Sequence, residues 1–105
     1  MKELSVVNVG LIVRLEAKPG KEAELESFLR DALLLVQAER ATTAWFALRL
    51  GTTSFGIFDL FPNERARQAH LAGRVAAALS ARSAELLSTP PVIELFDTLV
   101  SKPHA

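Results

Sequence analysis

The stretch AWFALRLGTTSFGIFDLFPNERARQAH, residues 44–70, decides the fold of this chain. Apolar residues alternate on both sides of a Gly51-Thr52-Thr53 turn, which predicts a β-hairpin. Pro62-Asn63 then starts a helix, with Asn63 as the expected N-cap. The stretch holds the only tryptophan and four of the six phenylalanines, and it ends on a histidine. We therefore expect these residues to line much of any pocket.

The segments on either side of this hairpin complete a β-α-β-β-α-β order. Period-two apolar residues predict a strand at 5–17, and an apolar stripe at spacings of three and four predicts a helix at about 20–38. The hairpin strands are predicted at 42–50 and 54–61. The following helix runs to about Ala72, breaks near Gly73 and continues to about Ser88. A Pro-Pro pair ends it, and a last strand is predicted at 92–100.

This order predicts a ferredoxin-like α+β fold, a four-stranded antiparallel sheet with the helices on one face. A sheet covered on one face should have a polar outer face, but both faces carry large apolar groups. We expect the outer face to pack on a second copy in a homodimer. With the hairpin centred near Thr52, Trp45, Arg49, Phe55 and Asp59 share one face. A shift of one residue would reassign them, so Trp45 faces either the pocket or the partner. In the second case, a charge at Trp45 or Phe55 would disrupt the dimer.

Composition excludes several classes of protein. The 105 residues predict one domain, with its core at about 5–100. Lys plus Arg and Asp plus Glu each total 12, and no basic run occurs, so no nucleic-acid partner is expected. The chain has no cysteine, so catalysis by a thiolate and metal sites with cysteine ligands are both excluded. No apolar run could span a membrane, and the N-terminal run resembles a strand more than a signal peptide. We expect a cytoplasmic protein.

His70 is the strongest candidate for a catalytic residue. On the second predicted helix it shares a face with Ala66, Ala69, Gly73 and Ala77, and these small residues would leave room for a ligand. Histidine titrates near neutral pH, so it could remove a phenolic proton. The alternative is a half-buried histidine that bonds a backbone carbonyl or a carboxylate.

Five further residues are candidates for a substrate pocket: Trp45, Phe46, Phe58, Asn8 and Arg49. Each also has a structural interpretation. Trp45 is expected mainly to pack in the core or the dimer interface. Arg49 and Asp59 would form an ion pair across the hairpin or reach the partner subunit. No histidine cluster, HExxH motif or phosphate loop is present, so no metal and no cofactor is expected.

The element order resembles that of the antibiotic biosynthesis monooxygenase superfamily, the dimeric α+β barrels. The similarity rests on KPGKEAEL at the first helix start, FGIFDLFPNERARQAHL across the third strand and second helix, and PPVIELFDTL at the last strand. It covers about residues 7–100. It implies a homodimer that packs sheet to sheet, with a pocket in each subunit between sheet and helices.

The resemblance implies activities that this fold shares among several enzymes. The superfamily includes cofactor-free oxygenases of quinol- or anthrone-like substrates and haem-degrading enzymes. The asparagine of the haem-degrading members corresponds to Arg14 here, which argues against haem degradation. Two hypotheses follow: a cofactor-independent monooxygenase of a small aromatic substrate, or a non-catalytic dimeric module that binds an apolar molecule or is purely structural.

Overall fold

A computed structural model describes residues 8–102 of the chain. It confirms the predicted α+β arrangement, with four strands and three helices. The elements are β1 (Val9–Glu16), α1 (Glu22–Gln37), β2 (Ala44–Arg49), β3 (Ser54–Phe61), α2 (Glu64–Leu71), α3 (Arg74–Leu86) and β4 (Val92–Asp97). Residues 5–7 of the predicted first strand lie outside the described residues. The predicted break near Gly73 separates α2 from α3.

The helices begin where the local chemistry favours it. Gly20 has a positive φ of 86°, a conformation that suits glycine, and it turns the chain from β1 into α1. Glu22 and Glu24 in the first turn of α1 face the positive end of the helix dipole. At α2, the Asn63 side chain accepts a 2.9 Å hydrogen bond from the Ala66 backbone N–H, so the predicted N-cap is confirmed.

The sheet has the strand order β2-β3-β1-β4, and every neighbouring pair is antiparallel. In the hairpin, Arg49 pairs with Phe55 and Trp45 with Asp59, so the register centred near Thr52 is confirmed. The core lies between the sheet and the helices. It contains Leu11, Val13, Leu15, Leu25, Leu29, Phe55, Ile57, Phe61, Leu79 and Leu86, all buried.

This register shows which face of the sheet carries the Trp45 side chain. Trp45 packs on buried residues of α1 and α3, and Phe55 is 3% exposed, so both lie on the helix-covered face. A charge at either position would therefore disrupt the core, and the expectation that it would probe the outer face is wrong. The expected Arg49–Asp59 ion pair is also wrong, because Arg49 pairs with Glu26 and Asp59 with His70.

The outer face of the sheet carries an apolar surface. Phe46, Leu48, Leu50 and Val92 are exposed. Phe58 lies between Phe46 and Phe96, with ring centroids 6.2 Å and 5.4 Å away. Phe96 reaches Phe58 across Gly10, where a Cβ would collide with the Phe96 ring and with the backbone carbonyl of Asp59, so only glycine fits there. No helix within residues 8–102 is long and apolar enough to cross a membrane.

Candidate functional site

A groove of about 590 Å³ opens between α1 and β2. Its surface is about equally polar and apolar, and its lining includes three of the predicted pocket residues: Trp45, Phe46 and Arg49. The remaining lining residues are Glu26, Leu29, Arg30, Leu33, Ala47, Leu48 and Phe55. The groove exists because β2 is the edge strand, and its helix-side positions Ala47 and Arg49 stay exposed. A cleft that combines aromatic side chains with convergent polar groups is typical of small-molecule sites.

Three charged side chains, Glu26, Arg30 and Arg49, form the polar rim of this groove. Arg30 donates to one carboxylate oxygen of Glu26 through Nε at 3.0 Å and a terminal nitrogen at 2.8 Å. Arg49 donates to the other oxygen, and its guanidinium lies 4.8 Å from the centre of the Phe55 ring. The hydrogen bond from Arg30 lowers the pKa of Glu26, assisted by the charge of Arg49 and opposed by partial burial. The rim thus holds two guanidinium groups against one carboxylate.

Behind the groove lies a buried row of three titratable side chains, Asp59, His70 and Glu39. His70 Nδ1 lies 2.6 Å from Glu39 Oε1, and His70 Nε2 lies 3.2 Å from Asp59 Oδ2. The Asp59 contact is too oblique for a hydrogen bond, and neither Asp59 carboxylate oxygen makes one within residues 8–102. Asp59 is 1% exposed, His70 8% and the Glu39 side chain 21%. The row therefore runs from the sheet interior to a partly exposed end.

The two carboxylates control the charge of His70. Burial alone lowers its pKa, but interactions with the Asp59 and Glu39 carboxylates outweigh burial, so the pKa is raised above 6.5. The Phe61 ring, 5.1 Å away between centroids, closes another side of the imidazole. The imidazolium is thus the preferred state of His70 over a wider pH range than for a solvated histidine.

The predicted face of small residues around His70 is only partly present. Ala66 is buried beside the sheet, but Ala69 and Ala77 are exposed. The reason is the break between the two helices: α2 ends at Leu71 and α3 begins at Arg74, so they share no continuous face. The imidazole is surrounded by carboxylates and an aromatic ring, and it matches the alternative of a histidine bonded to a carboxylate.

The groove and the buried row meet at one cross-strand pair. Trp45 lines the groove, and its direct partner in the register is Asp59. Side chains at directly opposite positions have Cβ atoms about 4.5–5.5 Å apart. The Trp45 indole Nε1 is buried and, like the Asp59 carboxylate, makes no hydrogen bond within residues 8–102. The wall of the groove that contains Trp45 therefore separates the groove from Asp59, the buried end of the row.

Two predicted pocket residues lie elsewhere. Phe58 belongs to the outer face, opposite the groove, and Asn8 directly precedes β1 and does not line the groove. Sequence reasoning missed Glu26 and Glu39 as site residues. Glu39 contacts His70 across 31 positions of sequence, and Glu26 contacts Arg49 across 23. No local pattern marks either contact.

The described residues offer no metal site, since no group of three His, Cys, Asp or Glu side chains between 8 and 102 is arranged to hold an ion. In the buried row the two carboxylates contact opposite nitrogens of the imidazole ring, so they do not converge on one point.

Comparison with known proteins identifies relatives of this structure. No family model matches the chain, and no curated protein matches it. A protein of unknown function from Nitrosomonas europaea, NE2512, is 55% identical with a TM-score of 0.91, and the match covers 95% of this chain and 97% of that one.

More distant structures share the fold. A Caulobacter crescentus protein assigned to the antibiotic biosynthesis monooxygenases is 22% identical with a TM-score of 0.78, covering 94% of this chain and 96% of that one. Another antibiotic biosynthesis monooxygenase is 15% identical with a TM-score of 0.75, covering 88% and 99%. These matches confirm the predicted resemblance. The chain belongs to the family of the Nitrosomonas europaea protein, and it shares its fold with the structures named as antibiotic biosynthesis monooxygenases.

Proposed function

We propose that this protein is a cofactor-independent monooxygenase that oxidises a small aromatic substrate, of quinol or anthrone type, in the groove between α1 and β2. The observation that carries the proposal is the adjacency of an aromatic groove and a buried acid–base row at the Trp45–Asp59 pair. The groove binds and orients a flat ring, and the row receives its proton.

The chemistry needs only the substrate, O2 and a base. Loss of a proton from an anthrone-like substrate gives an enolate, which transfers an electron to O2. Recombination forms a carbon–oxygen bond as a peroxide anion, which takes the proton back from the base to give a hydroperoxide. Loss of water then leaves a carbonyl. One oxygen atom of O2 stays in the product and the other leaves as water, so the substrate supplies all the electrons.

His70 is the proton acceptor in this proposal. The proton reaches its imidazole through the Asp59 carboxylate, because Asp59 is the direct cross-strand partner of the groove residue Trp45 and its oxygens make no hydrogen bond among residues 8–102. A raised pKa makes neutral His70 a stronger base, closer in strength to a phenolate. The neutral form must be present to accept a proton, so turnover should rise with pH through the raised pKa.

The test is O2 uptake by purified, metal-stripped protein with a panel of hydroquinones and anthrones. Uptake above the spontaneous rate that is lost in His70→Gln supports the proposal. Because His70→Gln removes a buried contact, Glu39→Gln at the partly exposed end serves as a second variant. A folded His70→Gln with full uptake would remove His70 from the mechanism, and no uptake by the wild type would argue against the oxygenase.

Binding without turnover is the second candidate function. The specific observation in its favour is that both ring nitrogens of His70 already face carboxylates and the ring is 8% exposed. Retained binding of an aromatic ligand together with no O2 uptake would favour this function.

We also propose a homodimer through the outer sheet face, in a single-domain cytoplasmic protein. The exposed apolar residues of that face, with Phe46 at 53% exposed and Val92 at 52%, support it. Phe46→Glu should give a monomer by light scattering, whereas Leu34→Glu, on the exposed face of α1, should not. A wild-type monomer at micromolar concentration would contradict the proposal.

A further inference from the structure

We propose that the groove selects aromatic molecules that carry one negative charge, such as an aromatic carboxylate or a ring-stabilised enolate. This inference rests on the proposed function, since it names the class of molecule that the same groove accepts. It depends on the charges at the rim and on how they are held.

The rim has one positive charge in excess. Both oxygens of Glu26 are engaged, one by Arg30 and the other by Arg49. Glu26 can therefore neutralise only one of the two guanidinium groups. A ligand in the groove meets the remaining charge, because all three side chains line it.

Arg49 is the better placed of the two arginines. Its guanidinium lies over Phe55, a 3% exposed residue of the groove wall, and is held there by Glu26. One of its terminal nitrogens donates to Glu26, and a guanidinium has further donors for a planar anion. Arg30 is more exposed, with 76% of its side chain accessible, and its charge is more strongly screened by solvent.

A second arginine–phenylalanine pair serves as an internal control. Arg82 lies 6.0 Å from the centre of the Phe28 ring and bonds Glu85 at 2.8 Å, in an arrangement like that of Arg49. The shallow depression at this pair is lined by Glu24 and Asp31 besides Arg82, so its excess charge is negative. An arginine over an aromatic ring is thus common to both places, and only the groove combines it with an excess positive charge.

The experiment compares three ligands of equal shape: 2-naphthoate, 2-naphthamide and 2-naphthylmethylammonium. Binding is followed through the indole N–H signal of Trp45, which is unambiguous because the chain has one tryptophan. We expect 2-naphthoate to bind about 2- to 5-fold more tightly than the neutral amide, the range for one partly exposed ion pair, and the cation to bind most weakly. Arg49→Gln should remove the preference, Arg49→Lys should retain part of it, and Arg82→Gln should leave it unchanged.

The outcomes separate this inference from the proposed function. Equal affinity for 2-naphthoate and 2-naphthamide would overturn the charge selectivity and leave an oxygenase of neutral substrates intact. A preference that survives in folded Arg49→Gln would overturn the role of Arg49. Absence of naphthoate binding would overturn the inference, while O2 uptake with quinols would decide the function independently. The preference should also shrink as ionic strength rises.

Discussion

The buried row and the rim are opposite versions of one arrangement. In the buried row, two carboxylates flank the imidazole of His70; at the rim, two guanidiniums flank the carboxylate of Glu26. His70 is 8% exposed, whereas the Arg49 side chain is 52% exposed. Solvent screens the rim but not the row. The comparison teaches that similar charge patterns differ in their consequences: in the row they raise the pKa of a buried histidine, and at the rim, in our proposal, they favour an anionic ligand.

The largest expected effect comes from breaking the buried row. His70→Ala leaves the Asp59 carboxylate buried without its cation, which should lower the free energy of unfolding by about 3–5 kcal/mol. The measurement is urea denaturation at pH 7. The matched variant Glu26→Ala at the rim should have a urea midpoint close to that of the wild type, because exposed ion pairs contribute little to stability. Equal losses in the two variants would contradict the comparison.

The second-largest effect is a pH dependence of the protein's stability, which the row confers and the rim does not. Because the pKa of His70 is raised above 6.5, the folded protein keeps its proton where the unfolded chain releases it. This contribution to stability is complete below pH 6.5 and is lost as pH rises through the raised pKa. Urea midpoints measured from pH 6 to 9 should fall in the wild type. In His70→Gln this fall of the urea midpoint should be absent. The same fall in His70→Gln would show that another group causes it.

Particular residues show how much of this the sequence could predict. The Asn63 cap and the break at Gly73 follow from turn chemistry and from periodicity over neighbouring positions. The same patterns favour the hairpin register centred near Thr52 but leave a shift of one residue open. Residues such as Asp59 and Trp45 could be placed on one face because a strand alternates strictly. The partners of His70 and Arg49 could not be predicted, because those contacts join distant segments whose relative position depends on how α1 packs on the sheet.

A smaller effect is expected at the rim. Arg49→Gln removes an exposed ion pair and a contact with the Phe55 ring, so its free energy of unfolding should change by less than about 1 kcal/mol. Thermal denaturation of this variant beside Arg82→Gln checks the estimate, since both arginines lie over a phenylalanine. A loss comparable to that of His70→Ala would mean that the rim, too, is needed for folding.

The smallest effect is the response to salt. At about 1 M salt the screening length falls to about 3 Å, so the small stability difference between the wild type and Glu26→Gln should shrink further. The difference between the wild type and His70→Gln should persist, because His70 and Asp59 are buried. The measurement is urea denaturation at low and high NaCl concentration. If the stability difference between the wild type and His70→Gln changed with salt, solvent would reach the row.

The proposed chemistry itself is tested most directly by the fate of oxygen from labelled O2. Purified, metal-stripped protein is given anthrone under ¹⁸O2, beside His70→Gln and Arg82→Gln. The account predicts protein-dependent anthraquinone carrying one new ¹⁸O atom, formed by the wild type and Arg82→Gln and suppressed in folded His70→Gln. Product formed at the same rate with and without protein would contradict it.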